Sequence, residues 1–328
     1  MGAMSATPPA STPSIAPGAT VGEVGEFALI EAVTALFGQG EQVLVGPGDD
    51  AALLRIRNGH VVVSTDLMVE GHHFRRDWSD ARDVGHRAAA QNLSDVNAMG
   101  GRAHSLTLGL GVPADLPASW VLEMAAGFAE ECALVGASVV GGDLTRSEQV
   151  TLAVTVLGAC TVAPVLRSGA RPGDVVALAG RQGWAAAGLA VLGRGFRSPR
   201  VLVEAHRRPE PPYAAGPVAA EAGATSMLDV SDGLLSELGH VARASGVTID
   251  VASRSLEVAE PLHAVGSALG ADPLQFVLTG GDDHALVATF PDSDSVPEGW
   301  QVIGRVDEGT GVTVDGREVD GEGGWTHF

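Results

Sequence analysis

The chain has 328 residues, 45% hydrophobic and 18% charged, a size and balance that suit two domains with buried cores and exclude a disordered polymer. Its formal net charge is −20, from 40 acidic and 20 basic residues, and an acidic surface of this kind repels nucleic-acid backbones and anionic membranes, so neither is expected as a partner. Every basic residue is arginine, which excludes a P-loop lysine, a kinase strand lysine and Schiff-base chemistry.

Residues 1–20 carry no charge and are rich in Ala, Ser, Thr, Pro and Gly. They lack the basic start and apolar run of a signal peptide and read as a disordered leader. Helical spacing begins at Gly25-Glu26-Phe27, where Phe27, Ile30, Val33 and Phe37 share a face. Val61-Val62-Val63 reads as a short buried strand ending at Ser64-Thr65-Asp66. Residues 81–99 read as a helix carrying Asn92 and Asp95, and 118–135 as a second helix. A strand over 137–140 runs into Gly141-Gly142-Asp143, and residues 150–156 form a further strand.

The turn signal Arg171-Pro172-Gly173-Asp174 opens a second unit at Val175. The boundary therefore falls near residue 165, giving an N-terminal domain over 21–165 and a C-terminal α/β domain over 166–328. The second unit reads as helices near 183–193, 198–206, 216–223 and 232–245, with strands near 226–230, 247–251, 285–290 and 301–305. Strands interleaved with helices give an α/β class, with mixed, α+β-like sheets open as a variant. Cys132 and Cys160 read as small buried hydrophobes and not as a disulfide or metal pair, which makes a cytoplasmic setting the default. No apolar run is long enough to span a bilayer.

Acidic residues gather beside Gly, Ser or Thr in six clusters: Gly48-Asp49-Asp50-Ala51, Ser64-Thr65-Asp66, Asn92-Leu93-Ser94-Asp95, Gly141-Gly142-Asp143, Asp229-Val230-Ser231-Asp232-Gly233 and Gly280-Gly281-Asp282-Asp283. Any one alone is most simply a turn, because Gly supplies positive φ and Asp bonds its own backbone. Several at the ends of apolar runs favour a site, since α/β folds place ligands there. Carboxylates and hydroxyls are hard ligands suited to Mg²⁺ and to a phosphate-rich substrate. The calcium-hand spacing fails at Asp229 and again at Asp292-Ser293-Asp294. His72-His73 lacks the neighbours a zinc site needs, and one of the pair is a candidate donor to a phosphate. Arg167 is a candidate phosphate fork, and Trp325, near the C-terminus, is either tucked into the fold or stacked on a ligand.

In order along residues 24–328, these motifs resemble the thiamine-monophosphate kinase family, in the superfamily of aminoimidazole ribonucleotide synthetase, selenophosphate synthetase and HypE. The series also takes in Gly71-His72-His73-Phe74, Ala98-Met99-Gly100, Arg167-Ser168-Gly169 and Gly324-Trp325-Thr326-His327-Phe328. The resemblance implies ATP-dependent phosphorylation of thiamine monophosphate to thiamine diphosphate by direct in-line transfer. It also implies a homodimer whose N-terminal domains pair into a β-barrel, with substrates in the cleft between domains. By that analogy Asp50, Ser64, Thr65, Asp66, Asp95, Asp143, Asp229 and Asp232 hold several Mg²⁺ ions, with Asp66, Asp95, Asp143 and Asp229 at the centre of catalysis. Gly142, Asp143, Arg167 and Ser231 contact ATP, and His73, Asp282 and Trp325 contact thiamine monophosphate.

One stretch departs from the family pattern. Gly280-Gly281-Asp282-Asp283-His284-Ala285-Leu286 stands where the family usually reads Gly-Gly-Glu-Asp-Tyr-Glu-Leu. Asp for Glu shortens the reach toward the acceptor by about 1.5 Å and leaves the metal ligands untouched. Selenophosphate synthetases generally carry a reactive N-terminal Cys or selenocysteine and HypE a C-terminal Cys; this chain has neither. The alternatives are another ATP-dependent member of the superfamily and a non-catalytic nucleotide or thiamine-phosphate binder.

Overall fold

The computed structural model describes residues 15–47, 52–56 and 59–318. Two helix starts in the first unit follow side chains that accept an otherwise orphaned N–H. Thr20 and Glu23 form a reciprocal capping box before α1 (Val21–Val24), which leads into α2 (Glu26–Thr34). A small hairpin of β1 (Val43–Val45) and β2 (Leu53–Leu54) precedes β3 (Val62–Val69). Asp80 and Asp83 form a second capping box that fixes the start of α3 (Ala81–Ala98). The first unit is completed by β4 (Gly101–Val112), α4 (Ala118–Val135), β5 (Ser138–Arg146) and β6 (Thr151–Cys160).

The four long strands lie in the order β3-β6-β4-β5, with β4 and β5 parallel and the other pairs antiparallel. Helices α3 and α4 pack over one face, around Leu93, Leu106, Met124, Phe128, Leu152 and Val156. They approach backbone to backbone: a Cβ on Gly85 would lie 1.9 Å from the Met124 carbonyl, and one on Gly127 2.1 Å from that of Arg82. Gly85→Ala should therefore destabilise the fold by about 2 kcal/mol, because overpacking of about 3 kcal/mol outweighs the roughly 1 kcal/mol that Ala gains in helix propensity. A thermal melt of the variant checks this, and an unchanged midpoint would mean that α3 and α4 separate without strain.

The second unit runs β7 (Val175–Ala179), α5 (Trp184–Gly193), α6 (Arg200–Arg207), α7 (Ala215–Glu221), β8 (Ser226–Val230), α8 (Leu234–Ser245), β9 (Thr248–Val251), α9 (Glu260–Leu269), α10 (Pro273–Thr279), β10 (Ala285–Phe290), β11 (Gln301–Asp307), β12 (Gly311–Val314) and β13 (Arg317–Glu318). Its sheet has the order β13-β12-β9-β11-β7-β10-β8; only β9 and β12 pair in parallel. Mixed α/β architecture is thus what the chain adopts. Strands β8 and β10 are buried along their whole length, because each face is covered. One face meets α5, α8 and α10, and the other meets α7 and the end of α3 through Ala98, Val165, Met227, Leu286 and Phe290.

Two expected strand ends move. Strand β3 continues to Val69, so Ser64-Thr65-Asp66 lies mid-strand, and Gly141-Gly142-Asp143 falls inside β5. In β3 the side chains alternate: Val62, Ser64, Asp66 and Met68 turn inward, while Val63, Thr65 and Leu67 are exposed. The two cysteines are free thiols, Cys132 buried and Cys160 half-buried at the end of β6.

Candidate active site

Three carboxylates from three elements converge where the end of β8 faces α3 and β3. Asp66 accepts a hydrogen bond from Gln91 Nε2 at 3.3 Å. Asp95, one turn further along α3, is hydrogen-bonded to Ser64; burial, then Asp229 and Asp66, push its carboxyl up to about 7. Asp229 Oδ2 lies 3.0 Å from His284 Nδ1. Burial works against a charged His284, but Asp229 outweighs it and raises the imidazole above its ordinary range.

The chain then turns through Ser231 and Asp232 into α8. Glu237 accepts from Ser231 Oγ at 3.2 Å and from the Asp232 main-chain N–H at 3.3 Å, which fixes the turn. Burial, followed by Asp229 and Asp232, pushes Glu237 up to about 7. Glu237 was not among the residues singled out in the sequence; its one signal is an acid in the first turn of a helix entered by Ser-Asp-Gly. Arg167 is exposed, with its main-chain carbonyl held by Ser226 Oγ at 3.0 Å and Ser245 Oγ at 3.3 Å. Its guanidinium is near enough to Glu237 and His240 to lower both pKa values.

Other expected residues are placed differently. The Thr65 side chain turns to the outer sheet face and meets Thr155 Oγ1 at 2.8 Å, so its hydroxyl points away from Asp66. Gly142 and Asp143 lie on β5, three strands from β3 and about 14 Å across the sheet from Asp66. Ladder partners carry Asp143 through Gly109 and Ala153 to Leu67, placing it on the outer face with Leu67 and not beside Asp66. Gly142 admits no side chain, since a Cβ would lie 2.0 Å from the Leu108 carbonyl. His73 Nδ1 accepts from the Val69 N–H at 3.0 Å, which leaves the proton of the neutral ring on Nε2. Asp50 and Trp325 lie outside the described residues.

Asp282 sits beside the Ser231 turn, its N–H donating to the Ser231 carbonyl at 2.8 Å. Its φ of 66° and that of His284, 53°, are in the left-handed region, unusual for residues other than glycine. Arg87 Nη2 reaches Asp282 Oδ2 at 2.8 Å. Burial opposes the charge on Asp282, but Arg87 chiefly outweighs it and holds the carboxyl below its usual range. Asp283 turns the other way, accepting from the Ala185 N–H at 2.9 Å at the start of α5, and burial pushes it up to about 7.

Sequence and structure comparisons fit this geometry. The AIR synthase related protein N-terminal domain family matches residues 48–160, and the corresponding C-terminal domain family matches 171–317. A thiamine-monophosphate kinase of Mycobacterium tuberculosis (strain CDC 1551 / Oshkosh) is 47% identical over 312 residues, 94% of this chain and 93% of the relative. The chain belongs to the thiamine-monophosphate kinase family. The family's member from Aquifex aeolicus is 34% identical over 93% of this chain and 99% of its own. Among solved structures, a thiamine-monophosphate kinase from Stenotrophomonas maltophilia K279a superimposes with a TM-score of 0.79 at 33% identity, covering 90% of this chain and 98% of that one. AaThiL complexed with AMPPCP and TMP gives 0.78 at 33% identity, covering 93% and 98%. E. coli HypE shares the fold, with a TM-score of 0.70 at 20% identity over 89% of this chain and 96% of that one. The thiamine-monophosphate kinase fold thus has two AIR synthase-like domains, and the carboxylates described above lie where these domains meet.

Proposed function

We propose that this chain transfers the γ-phosphoryl group of ATP to the phosphate of thiamine monophosphate, giving thiamine diphosphate. The observation that carries the reading is the meeting of Ser64, Asp66 and Asp95 from one unit with Asp229 and the Ser231–Asp232 turn from the other. A domain boundary near residue 165 is supported by the matched spans of the two families, 48–160 and 171–317.

The donor set suits Mg²⁺. It is built of hard oxygens, and Asp95, raised to about 7 by burial and then by the Asp229 and Asp66 charges, stands in a carboxylate cluster that a divalent cation would relieve. Among the described residues no group of three or more His, Cys, Asp or Glu side chains is already gathered as a metal site; Mg²⁺ commonly takes one or two carboxylates and completes its shell with waters and substrate phosphates. Asp66, Asp95, Asp229 and Asp232 would hold them, with Ser64, the Thr65 main chain and Asp50 as further ligands. When bound, Mg²⁺ supplies charge neutralisation of the transferring phosphoryl group.

The chain's own residues align the reactants. Arg167 and Ser231 flank the Glu237 turn and serve the nucleotide. His73 offers its Nε2–H to the acceptor phosphate. Asp282 and Trp325 receive the cationic thiazolium end, one by charge and the other by its ring face. The attacking atom is a phosphate oxygen largely ionised at neutral pH, so no general base is required. The raised pKa of Asp95 follows from burial and carboxylate crowding and is no sign of base catalysis.

Two further readings accompany this one. The outer face of the first sheet exposes Val63 and Leu67, and the neighbouring hairpin exposes Leu44, Val45 and Leu53; a homodimer closing the two sheets into a barrel would cover them. No helix among the described residues is long and apolar enough to cross a membrane, and a cytoplasmic setting accords with the two free thiols. With ATP and Mg²⁺, the protein should convert thiamine monophosphate to thiamine diphosphate and leave thiamine unphosphorylated. Absence of product in a coupled nucleotide-release assay and by chromatography would sink the reading.

A further inference from the structure

Helix α3 carries Arg87, Gln91 and Asp95 at four-residue spacing, which sets them in one stripe along the helix. Asp95 and Gln91 serve the carboxylate cluster through Ser64 and Asp66. Arg87 reaches the other unit. Its Nη2 meets Asp282 Oδ2 at 2.8 Å, and its Nη1 donates to the His206 carbonyl at 3.0 Å. Burial pushes His206 down to about 3, so the ring is neutral, and its Nε2 lies 3.4 Å from the same Nη1.

The Arg87 side chain is 7% exposed and that of Asp282 40%. A guanidinium so buried is costly unless held by partners, and these contacts leave it little freedom. Asp282 is fixed at its other end as well, by its N–H on the Ser231 carbonyl and by its left-handed backbone. Its main chain is anchored to the β8 turn of one unit and its carboxylate to a helix of the other. The exposed part of the side chain is what a ligand in the cleft would meet.

We propose that Arg87 is a positioning residue for the phosphoryl acceptor, holding one carboxylate oxygen of Asp282 so that the other is presented to the cationic end of thiamine monophosphate. This rests on the reading of Asp282 as the acceptor-side carboxylate. Aspartate has a shorter arm than the family's usual glutamate, and pinning one oxygen gives the remaining one a single direction. The same helix then sets the spacing of the two ends of the site: eight residues separate Arg87 from Asp95, about 12 Å along the axis.

The test is steady-state kinetics with each substrate varied in turn, on Arg87→Gln, Arg87→Lys, Asp282→Asn and the double variant R87Q/D282N. Arg87→Gln should raise KM for thiamine monophosphate by about 10- to 100-fold while kcat and KM for ATP change by less than about 3-fold. Arg87→Lys should recover part of the loss. The double variant should be no worse than Asp282→Asn, because both changes break one contact. If Asp282→Asn leaves KM for thiamine monophosphate unchanged, the acceptor-side reading of Asp282 falls, and this proposal with it. If Asp282→Asn raises that KM but Arg87→Gln does not, Asp282 keeps its role and the positioning role of Arg87 is overturned. An equal rise in both KM values, or additive losses in the double variant, would show that Arg87 only ties the domains together.

Discussion

Asp66→Asn should lower kcat by about 10²- to 10³-fold with the fold intact, the scale typical of removing one electrostatic contact to a developing charge. Asn keeps the shape of the side chain and an oxygen for Gln91 Nε2, so the local hydrogen bond at 3.3 Å survives. What disappears is a negative charge at the centre of the cluster proposed to hold Mg²⁺. The same change should stabilise the metal-free protein, because Asp66 is one of the charges that raise Asp95 to about 7, behind burial and Asp229. The sign follows from linkage. An acid whose folded pKa is raised costs no stability below its unfolded value near 4, costs progressively more as pH rises toward about 7, and reaches a plateau above. Melting midpoints of metal-stripped protein at pH 5 and pH 8 should therefore differ less in Asp66→Asn than in the wild type. Added Mg²⁺ should stabilise the wild type more than the variant. Near-normal kcat would remove Asp66 from the metal set, and a variant less stable than the wild type at pH 8 would show that the crowding is not repulsive.

The long helices were legible in the sequence because their apolar residues recur over many turns. Residues expected to be helical over 81–99 and 118–135 match α3 and α4 within one residue. Strands β7, β8 and β10 were legible as short apolar runs, buried on both faces and bounded by turns. Strand β4 gave no such signal, although it is 12 residues long. Gly101, Gly109 and Gly111 interrupt its β-forming character, and it is held by pairing to β5 and β6 on either side, which no local pattern records. Helices α9 and α10 were likewise passed over, since each is short and begins beside a proline.

The site was legible as a set of residue types and only partly as a geometry. Asp66, Asp95, Asp229 and Ser231 come together as the motifs implied. Thr65 does not, because the two faces of β3 are distinguishable only once the strand is known to continue past Asp66. Asp143 stands on the far edge strand for a similar reason. Arg87 and His206 are 119 residues apart, and a contact of that kind leaves no trace in spacing. It exists because α3 docks against the second unit, where Asn97 accepts from the Gly216 N–H at 3.1 Å and donates to the Pro212 carbonyl at 3.1 Å.

Leu67→Asp should convert the proposed homodimer into monomers without unfolding the chain. Leu67 is 58% exposed and Val63 59%, both on the face of the four-stranded sheet opposite α3 and α4. Their ladder partners Ala153 and Leu157 share that face, with the Thr65–Thr155 hydrogen bond between them. Strands β3 and β5 are both sheet edges, so an apolar face and two open edges coincide. In a symmetric dimer the substitution enters twice. Roughly 3 kcal/mol for each unpaired buried carboxylate would sum to about 6 kcal/mol, or on the order of 10⁴-fold in the dissociation constant. In the monomer the same aspartate would sit in water and change stability by less than about 0.5 kcal/mol. Sedimentation velocity over a concentration series separates the possibilities. A wild type that is monomeric at micromolar concentration would overturn the dimer, and a variant that stays dimeric would move the interface to another surface.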